Sequence, residues 1–246
     1  MGKQESGTLI VSIDLPKNLQ STYPSPAREL LSLFGEYAIP ATWVASTLTE
    51  PIVESILQSS QDHEIALQTA PASPRRETAE HLMRTHLAAA RSGVSVTSLT
   101  MNEHESTDHL DLVAKHGFSI VRPRLEQAGQ SVQATRLQLI RYGIWRAPVS
   151  AILQINDRSA PFGKTARTVR ALKNASKTGG LLHLGLDAAT NGTTGRMWSG
   201  VRQLLATAAK LRDRDALQCV TLQQAAAQLQ QRGQAGQPSR SVLRAA

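Results

Sequence analysis

The chain has 246 residues, 41% hydrophobic and 19% charged, and its 27 Lys and Arg against 19 Asp and Glu give a formal charge of +8. That length suits one barrel-sized α/β domain better than two ordinary ones, and the composition excludes a globally disordered chain. A single cysteine, Cys219, excludes an internal disulfide framework and a multi-cysteine metal site. Met1 to Ser6 contain no apolar signal region, and no run reaches the roughly 18 apolar residues of a membrane span, so a cytoplasmic location is expected.

The stretch Gly7-Thr8-Leu9-Ile10-Val11-Ser12-Ile13-Asp14-Leu15-Pro16 is an apolar run without alternation, the pattern of a strand covered on both faces. It delivers one carboxylate, Asp14, to its carboxyl end, where alternating strand-and-helix barrels collect their functional groups. A plain turn-forming role for Asp14 before Pro16 stays open. Pro26 to Gly35 reads as a helix with proline early and glycine late. Ile39 to Ser46 is a second strand, and Thr49-Glu50-Pro51 opens a helix through Gln58. His63 to Thr69 is a third strand, and Ser73-Pro74-Arg75-Arg76-Glu77 starts a helix that runs to Gly93.

Val94 to Met101 is the fourth strand, releasing Asn102, Glu103, His104 and Glu105 at a rim position. A helix from Thr107 to His116 leads to a fifth strand, Phe118 to Arg124, which ends with Arg122 and Arg124. Gln138 to Ser150 holds a sixth strand centred on Trp145 and Arg146, and a helix from Lys164 to Lys177 leads to the seventh, Leu181 to Asp187, which contains His183. A helix from about Arg196 to Arg212, a strand Leu217 to Thr221 and a helix Leu222 to Gln231 close the domain at residue 232, leaving Gly233 to Ala246 as an expected disordered tail. Strands alternate with helices throughout, so the connections are crossovers and the sheet is expected to be largely parallel.

The order of these segments resembles the polysaccharide deacetylase, or NodB-homology, superfamily from Thr8 to about Gln231. Thr221-Leu222 followed by Gln223-Gln224-Ala225-Ala226-Ala227-Gln228-Leu229 is similar to that family's closing strand and helix. Leu181-Leu182-His183 is similar to its late Leu-any-His motif, and His63-Glu64-Ile65-Ala66-Leu67-Gln68-Thr69 to its stretch His-Glu-Ile-Gly-any-His-Thr. The resemblance implies an α/β fold, an irregular (β/α)7-type barrel with largely parallel strands, and a carbohydrate partner. It further implies metal-assisted amide hydrolysis, in which a divalent ion held by one carboxylate and two imidazoles polarises an acetamide and activates water. Asp14 matches the family's general base and His183 its general acid, although a lone histidine in an apolar strand is as readily a hydrogen-bonded core residue. The three ligand positions are Leu15, Gln68 and Ala72, a set that supplies neither carboxylate nor imidazole, so no metal cofactor is expected. The family's substrate-lining motif after the fourth strand is replaced by Thr100-Met101-Asn102-Glu103-His104.

Three readings follow. The first is a catalytically reduced relative that binds a glycan or sugar-linked intermediate in carbohydrate or envelope polysaccharide metabolism. The second is a deacetylase with an altered site, and the third a scaffold that keeps only the fold. The candidate binding residues are Asn102, His104, Arg122, Arg124, Trp145, Arg146 and Asp187, and the arginines suit an anionic sugar because a guanidinium grips carboxylate or phosphate in bidentate fashion, while ordinary surface salt bridges of Arg122 and Arg124 with Glu103, Glu105 or Glu126 stay open. Strand alternation sends Trp145 and Arg146 to opposite sides, so only one of them can face the mouth. Lys164, Arg167, Arg170, Lys173 and Lys177 form a basic stripe best read as a solvated helix face, with Ala166, Val169 and Leu172 turned to the sheet. With aromatics at 4% and no interleaved stacking residues, nucleic acid is not favoured.

Overall fold

A computed structural model describes residues 6–16, 26–69, 74–102, 108–125, 136–154, 161–188 and 195–235. Its strands are β1 (Gly7–Asp14), β2 (Thr42–Ala45), β3 (Glu64–Gln68), β4 (Ser98–Met101), β5 (Ile120–Pro123), β6 (Gln138–Leu139), β7 (Trp145–Arg146), β8 (Ala151–Gln154), β9 (Leu181–Asp187) and β10 (Leu217–Val220). The described helices are α1 (Pro26–Glu36), α2 (Pro51–Leu57), α3 (Arg75–Arg91), α4 (Leu110–Lys115), α5 (Pro161–Thr178), α6 (Gly195–Arg212) and α7 (Leu222–Ala235). The strands form one sheet in the order β6-β7-β5-β4-β3-β2-β1-β9-β8, with β10 paired to the amino-terminal half of β1. Among the described pairs only β6–β7 is antiparallel. The sheet curls into a half-barrel of the expected deacetylase kind, and β1 pairs with three strands, β2, β9 and β10.

Strand alternation divides the core into two layers. Leu9, Val11, Ile13 and Leu15 point outward into the larger apolar cluster, shared with Leu30, Phe34, Trp43 and Leu172. Ile10 points inward, into a smaller cluster with Ile120, Val220 and residues of α7. Gly7 lies where α5 crosses β1, and a Cβ there would run into the Ala175–Ser176 backbone. On α5 the basic residues Arg167, Arg170, Lys173 and Lys177 are exposed while Thr168, Leu172 and Ala175 are buried. Ala166, expected against the sheet, is exposed.

The main departure from the sequence reading is the segment 138–150, expected as one strand. It is two short strands joined by a 3-10 turn at Arg141–Gly143, where Tyr142 and Gly143 adopt positive φ (60° and 73°). Pro148, which has no N–H for a ladder, then separates β7 from β8, and β8 pairs with β9. The fourth strand starts at Ser98 rather than Val94, and the last helix continues to Ala235, past Gln231.

The lower, amino-terminal end of the half-barrel is closed by a polar network that the sequence did not announce. Glu64, 5% exposed, accepts from Thr42 Oγ1 at 2.8 Å, from the Gln223 amide at 3.0 Å and from Ser98 Oγ. Its carboxyl group thereby caps α7, whose first turn also holds a reciprocal pair: Gln224 N donates to Thr221 Oγ1 at 3.2 Å and Thr221 N to Gln224 Oε1 at 3.0 Å. Burial raises the Glu64 pKa, and the hydrogen bond from Ser98 and its other donors oppose the rise. Glu64→Gln replaces an accepting oxygen by a donor, so chemical denaturation should show a loss of about 1–3 kcal/mol. An unchanged midpoint would mean that α7 does not depend on this cap.

Candidate functional site

The carboxyl end of the sheet gathers the site. Parallel register places Asp187 and Val44 beside Asp14, and Arg122 beside Thr100. Arg122 then reaches across the curl of the sheet. Its Nη2 donates to Asp14 Oδ1, and both Nε (3.3 Å) and Nη2 (3.0 Å) donate to Thr100 Oγ1. The Arg122 side chain has no exposed surface, and that of Asp14 keeps 21%. The result is an ion pair whose cation is sealed and whose anion still meets solvent. No sequence signal marked this pair, because its members stand 108 residues apart.

Arg124 follows on the same inward face, 6% exposed, with Nη2 donating to the Thr69 carbonyl at 2.6 Å. Thr69 is itself tied to the end of β4, since its amide and hydroxyl both donate to the Thr100 carbonyl at 3.0 and 3.2 Å. At the end of β2, Glu50 folds back so that Oε1 accepts the amides of Ser46 (2.9 Å) and Thr47 (3.1 Å). Burial raises its pKa, and the two amides oppose that shift. In the sequence Glu50 is marked only as part of a helix start.

His183 lies deeper, fully buried. Nδ1 is 3.0 Å from the Pro148 carbonyl oxygen, which can only accept, so Nδ1 carries the proton. Nε2 therefore accepts the Ser12 hydroxyl at 2.9 Å. Burial, reinforced by the nearby Arg122 charge, lowers the pKa from 6.5 to about 3, so the ring is neutral at physiological pH. Leu125 and Val149 close over Gly185, one inward-facing step nearer the mouth, where a Cβ would collide with Leu125. Of the two roles the sequence left open for His183, this geometry is that of the core residue: neither ring nitrogen is left to hand a proton to a ligand.

The other expected binding residues divide. Asp187 stands at the rim beside Asp14, and Asn102 follows β4. Trp145, in register with Ile120, packs in the lower apolar cluster with Leu229 nearby, two residues below the level of Arg122. Arg146 is in register with Val121, which belongs to the outer layer. Neither of these two joins the Asp14–Arg122 pair, because their strand lies below the mouth and alternation turns Arg146 outward. His104 and Ala72 lie outside the described residues. His63 sits at the opposite rim, where its Nδ1 accepts the Ala41 amide at 3.0 Å and its ring meets Trp43 edge-on.

The described residues do not fit the family's divalent ion. Leu15 continues the β1 ladder through its amide, 2.9 Å from the Val44 carbonyl, and alternation turns its side chain away from Asp14 into the apolar layer, 4% exposed. Asp14 is engaged by Arg122, and among the described residues no three His, Cys, Asp or Glu side chains are grouped to hold a metal. Leu15→Asp should therefore cost about 3 kcal/mol or more by denaturant titration, because the new carboxylate enters an apolar layer. Unaltered stability would show that position 15 reaches water.

No protein-family model matches the chain, and no curated protein matches its sequence. Solved structures do. The chain is similar to a probable polysaccharide deacetylase from Pseudomonas aeruginosa PAO1, at 13% identity over 91% of each chain with a TM-score of 0.64. It is similar to PuuE allantoinase at 12% identity over 89% of each chain, TM-score 0.61. A mutant of a CE4 family pseudoenzyme with restored enzymatic activity matches at 10% identity, over 92% of this chain and 69% of the other, TM-score 0.56. The chain thus has the polysaccharide deacetylase fold, as its sequence motifs implied. No helix of the described residues is long and apolar enough to cross a membrane.

Proposed function

We propose that the chain is a divergent polysaccharide deacetylase-like protein that binds a glycan or sugar-linked intermediate at its carboxyl rim, in carbohydrate or envelope polysaccharide metabolism, without metal-dependent deacetylation. One observation carries this reading: the acid that matches the family's general base is held by the buried Arg122, while the neighbouring position that would supply the metal carboxylate is a core leucine. Asp14 keeps part of its side chain at the surface, and Asp187 and Asn102 add polar groups along the same rim, a lining of the kind that sugar hydroxyls meet. That one structural neighbour is a pseudoenzyme whose mutant has restored activity supports the view that this fold persists in chains without the standard chemistry.

The test pairs elemental analysis of the dialysed protein with calorimetric titration of neutral and acidic acetylated sugars. The expected result is saturable sugar binding with no stoichiometric zinc, nickel or cobalt. One tightly held ion per chain, together with release of acetate from acetylated sugars, would replace this reading by that of an altered enzyme. Indifference to every sugar by a folded, metal-free protein would leave the scaffold.

A further inference from the structure

The carboxyl rim buries one more cation than the described residues answer. Arg122 and Arg124 stand two residues apart on one inward face, 1% and 6% exposed. Arg122 is paired with Asp14, and its Nη1 is buried without a partner. Arg124 spends Nη2 on the Thr69 carbonyl, its Nε is buried without a partner, and no carboxylate pairs with it among the described residues. Glu64, a strongly buried acid, is committed to the cap at the opposite end. A guanidinium does not shed its proton, and removing it from water without an anion is among the most unfavourable arrangements a fold can hold. Among the described residues, Arg122 Nη1 and Arg124 Nε are thus buried donors without an acceptor, with the carboxylates Asp14 and Asp187 standing side by side on the neighbouring strands of the rim.

We propose that Arg124, together with the unpartnered Nη1 of Arg122, receives an anionic group of the ligand, a carboxylate or phosphate carried on a sugar. The proposal rests on the reading of the rim as a glycan site and deepens it, naming an acidic sugar over a neutral one. The donor set suits this class: planar N–H groups present parallel hydrogen bonds to two oxygens of one anion, and burial strengthens the attraction. Asp14, already engaged on one side by Arg122, then faces the hydroxyls of the sugar that bears the anion.

The test uses thermal unfolding and calorimetry on the full chain with four probes: inorganic phosphate, glucuronate, N-acetylglucosamine 1-phosphate and neutral N-acetylglucosamine. The wild type should be stabilised by the three anions more than by the neutral sugar, with affinity that falls as salt rises. Arg124→Met should weaken anion binding roughly tenfold or more, a larger loss than for any neutral sugar. It should also melt no lower than the wild type without ligand, because it removes an unanswered buried charge. Arg124→Lys keeps the charge but loses the planar fork, so it should fall between the two, and it serves alone if the methionine variant does not fold. Equal binding of glucuronate and N-acetylglucosamine, insensitive to Arg124, overturns the anion recess and keeps the glycan reading. Arg124-dependent phosphate binding with no sugar bound keeps the recess and removes the glycan reading. No effect of any anion on melting overturns the recess outright.

Discussion

Asp14→Ala should be the most damaging single substitution at the rim, lowering stability by about 3–5 kcal/mol, because it leaves the sealed Arg122 guanidinium with no counter-charge. The cation cannot escape. Its side chain has no exposed surface, and among the described residues its other hydrogen bonds go to the Thr100 hydroxyl. Arg122→Met should cost less, since the charge left behind belongs to Asp14, whose side chain keeps 21% of its surface in solvent. In the double variant Asp14→Ala/Arg122→Met neither charge is buried alone, so most of the loss should be recovered. Equilibrium denaturation of the four proteins closes the cycle. Additive losses would mean that the pair does not interact in solution, and the case against metal at Asp14 would fall with it.

How much of this was legible in the sequence depends on range. The β1 and β9 strands, the parallel crossovers and the outward turn of Leu15 follow from local patterns: apolar runs, helix signals and a period of two. The pairing of Asp14 with Arg122 does not, because it joins β1 to β5 across the curl of the sheet, and nothing local to either residue specifies the other. Glu64 was hidden for the same reason, since its polar partners come from β2, β4 and the start of α7. The strand expected over 138–150 failed differently. Its apolar and aromatic composition has the strand period, but Tyr142-Gly143 and Pro148 break the backbone, and the ladder partner that makes β8 a strand is β9, some thirty residues on. Rim residues such as Trp145 were misplaced as a consequence, because a strand that ends early carries its side chains to a different level.

His183 gives the clearest pH signature. In the unfolded chain it takes up a proton near pH 6.5, whereas the folded chain resists protonation down to about pH 3. Between those values the unfolded state binds more protons, so stability should fall as pH falls, by up to about 1.4 kcal/mol per unit and at most about 4–5 kcal/mol over the window. His63, lowered to about 4 chiefly by burial, acts in the same direction. Glu64 acts in the opposite one: its raised pKa lets the folded chain hold a proton to higher pH than the unfolded chain, so acidification through that range returns some stability. Comparing the wild type with His183→Gln isolates the histidine. At pH 7.5 the variant should be less stable by about 1–3 kcal/mol, because Ser12 and the Pro148 carbonyl lose well-placed partners. Its pH dependence should be flatter, so the two stability curves converge below pH 6.5 and cross near pH 5. Parallel curves, or a ring that titrates near pH 6.5 in the folded protein by NMR, would mean that His183 is open to solvent after all and would return it to the list of proton donors at the mouth.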